Sequence, residues 1–295
     1  MGKSARAQNA RLVELRAQQA KAERRSKLMI AGATVGVVAI VVIALVIAAL
    51  QGGTDVTGQS STALDQATFA KVTSVPAASL DTVGAGASDN PPKTIDAPAL
   101  TKDGKPRVLY VGAEYCPYCA TERWPLVVAL SRFGTWNNLS ASFSAPAPEV
   151  NPNTATVSFH GATYSSQYVS FTGYETSTNK QTNGQWGKLD TLEGEDLALF
   201  QTYNAPPYVQ SKGAIPWITI GGTSIQAGAS YDSQVLLGKT QAEIAAALAD
   251  PTSDIAKGVN GAANLLTAQI CKATNQQPTA VCTAPGVVAA AATLK

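Results

Sequence analysis

The stretch that most limits what this chain can fold into runs from Arg107 to Pro125, Arg-Val-Leu-Tyr-Val-Gly-Ala-Glu-Tyr-Cys-Pro-Tyr-Cys-Ala-Thr-Glu-Arg-Trp-Pro. Val108 to Val111 is an unbroken apolar run and reads as a short buried strand. Gly112 stops it, and Cys116 and Cys119 follow where a helical pattern begins. A strand that hands a Cys-x-x-Cys to a helix N-terminus places the first thiol among unpaired N–H groups at the positive end of the helix dipole. That setting favours the thiolate over the thiol. Pro117 suits the first turn, since its φ is already helical and its missing N–H would have gone unpaired there. Cys119 lies one turn in, close enough to close a small disulfide. The residues leave two readings open: a reactive redox pair, or a small structural disulfide.

A second feature divides the chain by compartment. Leu28 to Leu50 is 23 residues without a charge. A hydrocarbon core of about 30 Å needs roughly 20 helical residues, so the segment is long enough to span a bilayer. It exceeds the apolar core of about 7–15 residues in a secretory signal peptide. Residues 1–27 carry eight Lys/Arg against Glu14 and Glu23, a net +6, so the rest carries −4 of the overall +2. Basic character this local argues against nucleic-acid binding. By the positive-inside rule it keeps the N-terminus cytoplasmic and sends residues after Leu50 outside. All four cysteines then lie where disulfides persist. The expected localisation is a single-pass cell-membrane protein with an extracytoplasmic C-terminal domain.

Beyond the anchor, residues 51–99 read as a flexible stalk and a surface segment, with a short helix and turn between Leu64 and Val83. Asp103-Gly104 signals a turn into the Val108 strand. After Cys119, Trp124, Leu126, Leu130 and Phe133 recur at helical spacing, with Pro125 expected to kink the helix. Leu139–Ser144, Thr154–Phe159 and Tyr164–Phe171 are β-like. Lys180–Gly187 reads as polar loop and Leu192–Tyr203 as helix. Thr240 and Glu243 have the spacing of a capping box. Thr252–Lys272 reads as a helix weakened by Gly258 and Gly261. The Ala-rich tail, residues 283–295, reads as loosely held. Glu114 and Glu122 are expected on the turn and the helix surface.

Gly213-Ala-Ile-Pro-Trp-Ile-Thr-Ile-Gly-Gly222 is the second informative stretch: Ile215 precedes Pro216, and the apolar run Trp217–Ile220 ends at a Gly-Gly turn. With Cys116-Pro-Tyr-Cys119 after a strand and Ile215-Pro216 before a late strand, the chain resembles the thioredoxin-like superfamily. The Cys-Pro-Tyr-Cys tetrad is similar to that of glutaredoxins. The Ile-Pro step resembles the superfamily's cis-proline loop, which faces the active-site cysteines and pairs with substrate backbone. Tyr110-Val-Gly-Ala-Glu-Tyr-Cys-Pro-Tyr-Cys-Ala120 and Phe159-His-Gly-Ala-Thr-Tyr164 resemble recurring phrases of a family of membrane-anchored thioredoxin-like proteins known mainly as a domain of unknown function.

The resemblance implies an α/β fold: a thioredoxin-like domain over residues 100–282, with a large insertion at about 145–212 between the Cys-x-x-Cys helix and the cis-proline strand, preceded by one N-terminal transmembrane helix. Two departures stand out. Where thioredoxins carry a buried carboxylate on the strand before the site, this chain has Tyr110. And 96 residues separate Cys119 from Pro216.

The implied chemistry is thiol–disulfide exchange on exported proteins. Cys116 attacks and forms the mixed disulfide, and Cys119 resolves it. Ile215 and Pro216 position the substrate strand, while Tyr115, Pro117, Tyr118 and Trp217 border it, Tyr115 and Trp217 forming an apolar rim. This reading needs a solvent-accessible Cys116. Partners would be exported thiols and disulfides, the membrane, and a membrane redox protein that recycles the site. No cofactor is called for. The single histidine, His160, leaves little for triad chemistry or a His-containing zinc site, and only the first cysteine pair has ligand spacing. Cys271 and Cys282 flank a polar segment and read as a structural disulfide, with a second redox pair as the alternative. The competing function is a binding or assembly module on the same fold, its first cysteine pair structural or vestigial.

Overall fold

The computed structural model of this chain describes residues 55–294. The basic arm of residues 1–27 and the apolar segment of residues 28–50 lie outside the described residues. Among those described, no helix is long and apolar enough to cross a membrane. The segment expected as stalk is, from Asp55 onward, part of one compact unit with everything that follows. Its short strand β1 (Thr62–Ala63) joins a later strand, and Thr57 bridges to Lys180. Asp65 caps helix α1 (Gln66–Thr73) by accepting the Thr68 N–H at 3.0 Å, and Pro76 separates it from α2 (Ala77–Val83). One short helix was expected where two form.

β2 (Lys93–Thr94) leads to a hairpin of β3 (Thr101–Lys102) and β4 (Lys105–Gly112). Asp103 and Gly104 both take positive φ, the pair of left-handed conformations that a two-residue hairpin turn needs. α3 (Pro117–Ser131) follows and runs on through Pro125. A proline leaves the carbonyl four residues earlier without its helical donor. Here that carbonyl, on Thr121, accepts the Tyr231 hydroxyl at 3.0 Å.

Strands β5 (Gly134–Asn137), β6 (Ser140–Phe143), β7 (Ala155–Ser158), β8 (Thr163–Ser166) and β9 (Ser170–Glu175) come next. β6 lies between β1 and β7 in one antiparallel sheet, and β5 pairs with β8. Tyr164–Phe171, read as one β segment, is thus shared by two strands in different sheets. Lys180–Gly187 is not loop: β10 (Ser177–Thr182) and β11 (Gln185–Lys188) form a hairpin about Asn183 and Gly184, both at positive φ. After α4 (Gly194–Tyr203), β12 (Trp217–Ile220) turns at Gly221-Gly222 into β13 (Ser224–Ala227). A 3₁₀ turn and α5 (Gln241–Ala247) follow, with the Thr240–Glu243 capping box formed in both directions. The chain ends in α6 (Asp254–Ala273), α7 (Thr279–Cys282) and α8 (Pro285–Ala291).

The central sheet has the order β2–β13–β12–β4–β9. β9 is parallel to β4 and the other neighbours are antiparallel. The segment 145–212, expected as an insertion, therefore supplies a strand of this sheet and α4 beside it. Alternation along β4 sorts the core into two clusters. Val108 and Tyr110 join Ile218, Ile220, Trp124 of α3 and Val259, Leu266 and Ile270 of α6. Leu109 and Val111 join Trp217, Ile225 and the α4 residues Leu199, Phe200 and Tyr203. The architecture is a mixed α/β one with helices on both faces of the sheet.

The helix expected over Thr252–Lys272 forms as α6 and runs through Gly258 and Gly261; Gly261 lets the Ala85–Gly86 backbone approach, where a Cβ would stand 2.6 Å from the Ala85 carbonyl oxygen. The tail, expected to be loosely held, is packed: Val287 and Ala290 of α8 are buried, Val287 within the main core, where α8 lies against α6 and α2.

Candidate functional site

Cys116 is the N-cap of α3, and its sulfur accepts the backbone N–H of Cys119 at 3.2 Å. Its thiol faces the Ile215 carbonyl oxygen at 3.7 Å. Ile215–Pro216 is cis, and the Pro216 carbonyl is held by the Gly228 N–H at 2.8 Å. Residues 99 positions apart thus meet at one sulfur because β4 and β12 are neighbours whose register sets Val111 against Trp217. Both cysteines are free thiols. The expected exposure of Cys116 is not found: it is 5% exposed, and Cys119 is fully buried. The chain wraps closely here, with Ile215 on one side and the Ala113–Tyr115 turn on the other.

The bordering residues divide. Tyr118 is 45% exposed beside the pair. Tyr115 is half-buried and stacks flat on Trp186 of β11, ring centroids 4.6 Å apart. Burial pushes its hydroxyl up to about 12, with the two cysteines adding to the shift. Pro117 is buried in the first turn of α3. Trp217 is no rim residue: it is wholly buried on the opposite face of the sheet, edge-on to Phe200. Strand alternation puts it there, next to Ile218, which faces α3.

Below the pair lies a charged interior. Arg123, one turn beyond Cys119, donates through Nε and Nη2 to both oxygens of Glu175 on β9, at 2.7 and 2.6 Å, and through Nη2 to the Ala113 carbonyl at 2.7 Å. Neither side chain of the pair is exposed. The Tyr110 hydroxyl reaches over Gly112, where a Cβ would stand 2.1 Å from it. Burial pushes the Cys119 thiol well above its usual range, the hydrogen bond and charge of Cys116 add to that, and Arg123 pulls the other way.

Glu122, expected on the helix surface, is fully buried. Its Oε2 accepts from the Ser230 N–H at 2.9 Å and the Ser230 hydroxyl at 2.6 Å, tying α3 to the segment that holds Pro216. Burial raises its pKa to about 7 despite those bonds. Glu114 is also buried and accepts from Ser61 at 2.9 Å.

Away from the site, Cys271 and Cys282 are joined, Cα atoms 5.5 Å apart, linking α6 to α7. His160 lies on an exposed turn with Nδ1 2.7 Å from Asp190. Among the described residues, no group of three or more His, Cys, Asp or Glu side chains is placed to hold a metal.

Trp186, Arg123, Glu175 and Glu122 were not singled out as site residues. Arg123 had a signal, the i,i+4 spacing from Cys119 that puts both on one helix face. Trp186 had another, the Asn183-Gly184 hairpin turn just before it. Nothing local marks Glu175, whose place depends on β9 lying parallel to β4.

Fold and site together define a mixed α/β protein with a Cys-x-x-Cys at the junction of a central strand and the helix it feeds. Residues 92–272 match the model of a family described as a domain of unknown function (DUF929), and the chain belongs to that family. No curated protein and no solved structure matches it.

Proposed function

We propose that this chain is a membrane-anchored, extracytoplasmic thiol–disulfide oxidoreductase acting on exported proteins through Cys116 and Cys119. The observation that carries the reading is the Cys116 sulfur itself. It caps α3, takes the Cys119 N–H, and faces the carbonyl of the residue before a cis-proline. The sheet order β9–β4–β12–β13, with only β9 parallel to β4, is the arrangement a thioredoxin-like core would have, and it supports assigning that fold. Cys116 attacks a substrate disulfide and Cys119 releases the product by displacing the substrate sulfur. Tyr118 and the Tyr115–Trp186 stack flank the sulfur as an apolar ledge for the substrate chain. The disulfide of Cys271 with Cys282 supports an oxidising compartment.

One observation favours a second reading, a binding or assembly module with a structural cysteine pair: the low exposure of Cys116. Equilibrating the purified full-length chain in glutathione redox buffers separates the two. A potential near about −120 mV marks a donor of disulfides, and one near about −270 mV a reductant. An intact fold whose Cys116 and Cys119 never exchange sinks the oxidoreductase and leaves the module.

A further inference from the structure

Buried polar side-chain atoms without a partner are few in native structures, and each calls for a reason. Two of them here lie by the Gly112–Ala113 turn that leads to the cysteine pair, neither bonded to a cysteine sulfur in this structure. The Tyr110 hydroxyl is fully buried and makes no hydrogen bond, and Arg123 Nη1, also buried, makes none either. Both side chains feel the charge of Cys119: Arg123 pulls its thiol down, and Cys119 in turn pushes the Tyr110 hydroxyl up. Their placement is built in. Arg123 lies four residues beyond Cys119, on the same face of α3, and the Glu175 carboxylate holds its guanidinium from the Nε and Nη2 side, leaving Nη1 free. Tyr110 sits on the α3-facing side of β4, its hydroxyl extended over Gly112.

We infer that the Tyr110 hydroxyl and Arg123 Nη1 form a buried seat for the Cys119 sulfur as it becomes the attacking thiolate of the resolving step. The inference rests on the oxidoreductase reading and assigns two further residues to it. A fully buried thiolate in apolar surroundings would be costly. Two donors with no other partner offset that cost only once the charge appears, which is differential stabilisation of the reacting state. Neither group serves as the base. Burial keeps the Tyr110 proton firmly on its oxygen, and Arg123 stays a cation beside Glu175.

With glutathione disulfide as oxidant the step balances. Cys116 bonds to one glutathione sulfur and expels the first glutathione. The Cys119 sulfur then bonds to Cys116 Sγ as the Cys116–glutathione bond breaks. The departing glutathione thiolate takes up the proton that Cys119 gave up. Two cysteine thiols are oxidised to one disulfide, and glutathione disulfide is reduced to two glutathiones.

Tyr110→Phe is the decisive variant, because it deletes an unpartnered hydroxyl and nothing else. The full-length chain is mixed with glutathione disulfide and quenched with acid at intervals, and the Cys116–glutathione adduct is followed by mass; urea unfolding is measured alongside. We expect Tyr110→Phe to be as stable as wild type or more so, to form the adduct at the wild-type rate, and to resolve it roughly tenfold or more slowly, the worth of one hydrogen bond to a charged group. Arg123→Lys, which keeps the cation but loses Nη1, should prolong the adduct similarly; if it does not fold, Tyr110→Phe decides alone. Wild-type adduct lifetimes in Tyr110→Phe overturn the inference and leave the oxidoreductase reading standing. Failure of the wild-type chain itself to form the adduct removes both.

Discussion

Arg123 and Glu175 form a bidentate ion pair with no exposed side-chain atom, joining the helix that carries the two cysteines to the one strand lying parallel to β4, with Arg123 also held by the Ala113 carbonyl in the turn before them. Such a pair costs desolvation at both ends, so its presence is weak evidence for stability, whereas breaking it strands a buried charge. Glu175→Leu and Arg123→Met alone should each lower unfolding free energy by about 3–5 kcal/mol. The double variant should lose much less than the sum of the two. Urea titrations of the four proteins give the coupling energy, and additive losses would mean that the two charges do not act as a unit.

Replacing single cysteines separates their roles. Cys119→Ser, with no resolving sulfur, should accumulate the mixed disulfide on Cys116 when given an oxidised peptide, and Cys116→Ser should form none. Cys116→Ser should cost no more than about 1 kcal/mol of stability, the worth of the neutral hydrogen bond at that sulfur, and Cys119→Ser, which puts a hydroxyl where the thiol is fully buried, about 1–3 kcal/mol. Mass spectrometry of acid-quenched samples reads the adduct. If Cys119→Ser stays unmodified while wild type exchanges freely, the order of the two sulfurs in the mechanism is reversed.

The second pair should behave as a staple. Cys271→Ala with Cys282→Ala should lower stability by roughly 3 kcal/mol in the chain-entropy account, through the joint between α6 and α7, and leave the glutathione exchange rate of Cys116 unchanged. A fall in exchange larger than the fraction unfolded would instead make it a redox relay.

Trp186 enters the site by stacking on Tyr115. Trp186→Ala removes the outer half of the ledge proposed for substrate, so KM for cysteine-containing peptides should rise several-fold while kcat holds. Exchange with glutathione, too small to lie along the ledge, should be unaffected. Equal loss toward glutathione and peptide would place the stack in support of Cys116 rather than of the substrate.

What could be read from the residues was whatever is settled within one or two turns of chain. The strand into Cys116, the Asp103-Gly104 hairpin, the Thr240–Glu243 capping box and the meeting of Ile215 with the cysteines all rest on local signals or on a two-part motif. What could not be read depends on partners distant in sequence. Glu122 looked like a surface acid because helical spacing alone cannot show that Ser230 will cover it. Trp217 looked like a rim because its neighbour Pro216 is at the site, although strand alternation sends its side chain to the other face. The hairpin that brings Trp186 was hidden by polar strands, whose Ser, Thr, Asn and Gln content imitates loop. The tail after Cys282 looked loose because alanine and valine carry little local signal, yet a small-residue helix is what fits closely against α6.

Glu122 offers a test in which the sign is fixed by burial. It is fully buried and its Oε1 has no partner, while hydrogen bonds with Ser230 and Gln226 offset only part of the cost of a buried carboxylate. Folding raises its pKa from 4.5 to about 7, chiefly through burial. An acid raised on folding lends stability in its protonated form; that contribution is complete below about pH 4.5 and is lost as pH climbs through about 7. The gap corresponds to about 3 kcal/mol. Glu122→Gln keeps an acceptor for Ser230 and adds an amide that can donate toward Gln226, at every pH. Urea unfolding between pH 4.5 and 8.5 should therefore show the variant overtaking wild type as pH rises, with the difference levelling off above about pH 7.5. A difference that stays flat across that range would mean that Glu122 is ionised in the folded protein throughout, with its unpartnered oxygen satisfied by water.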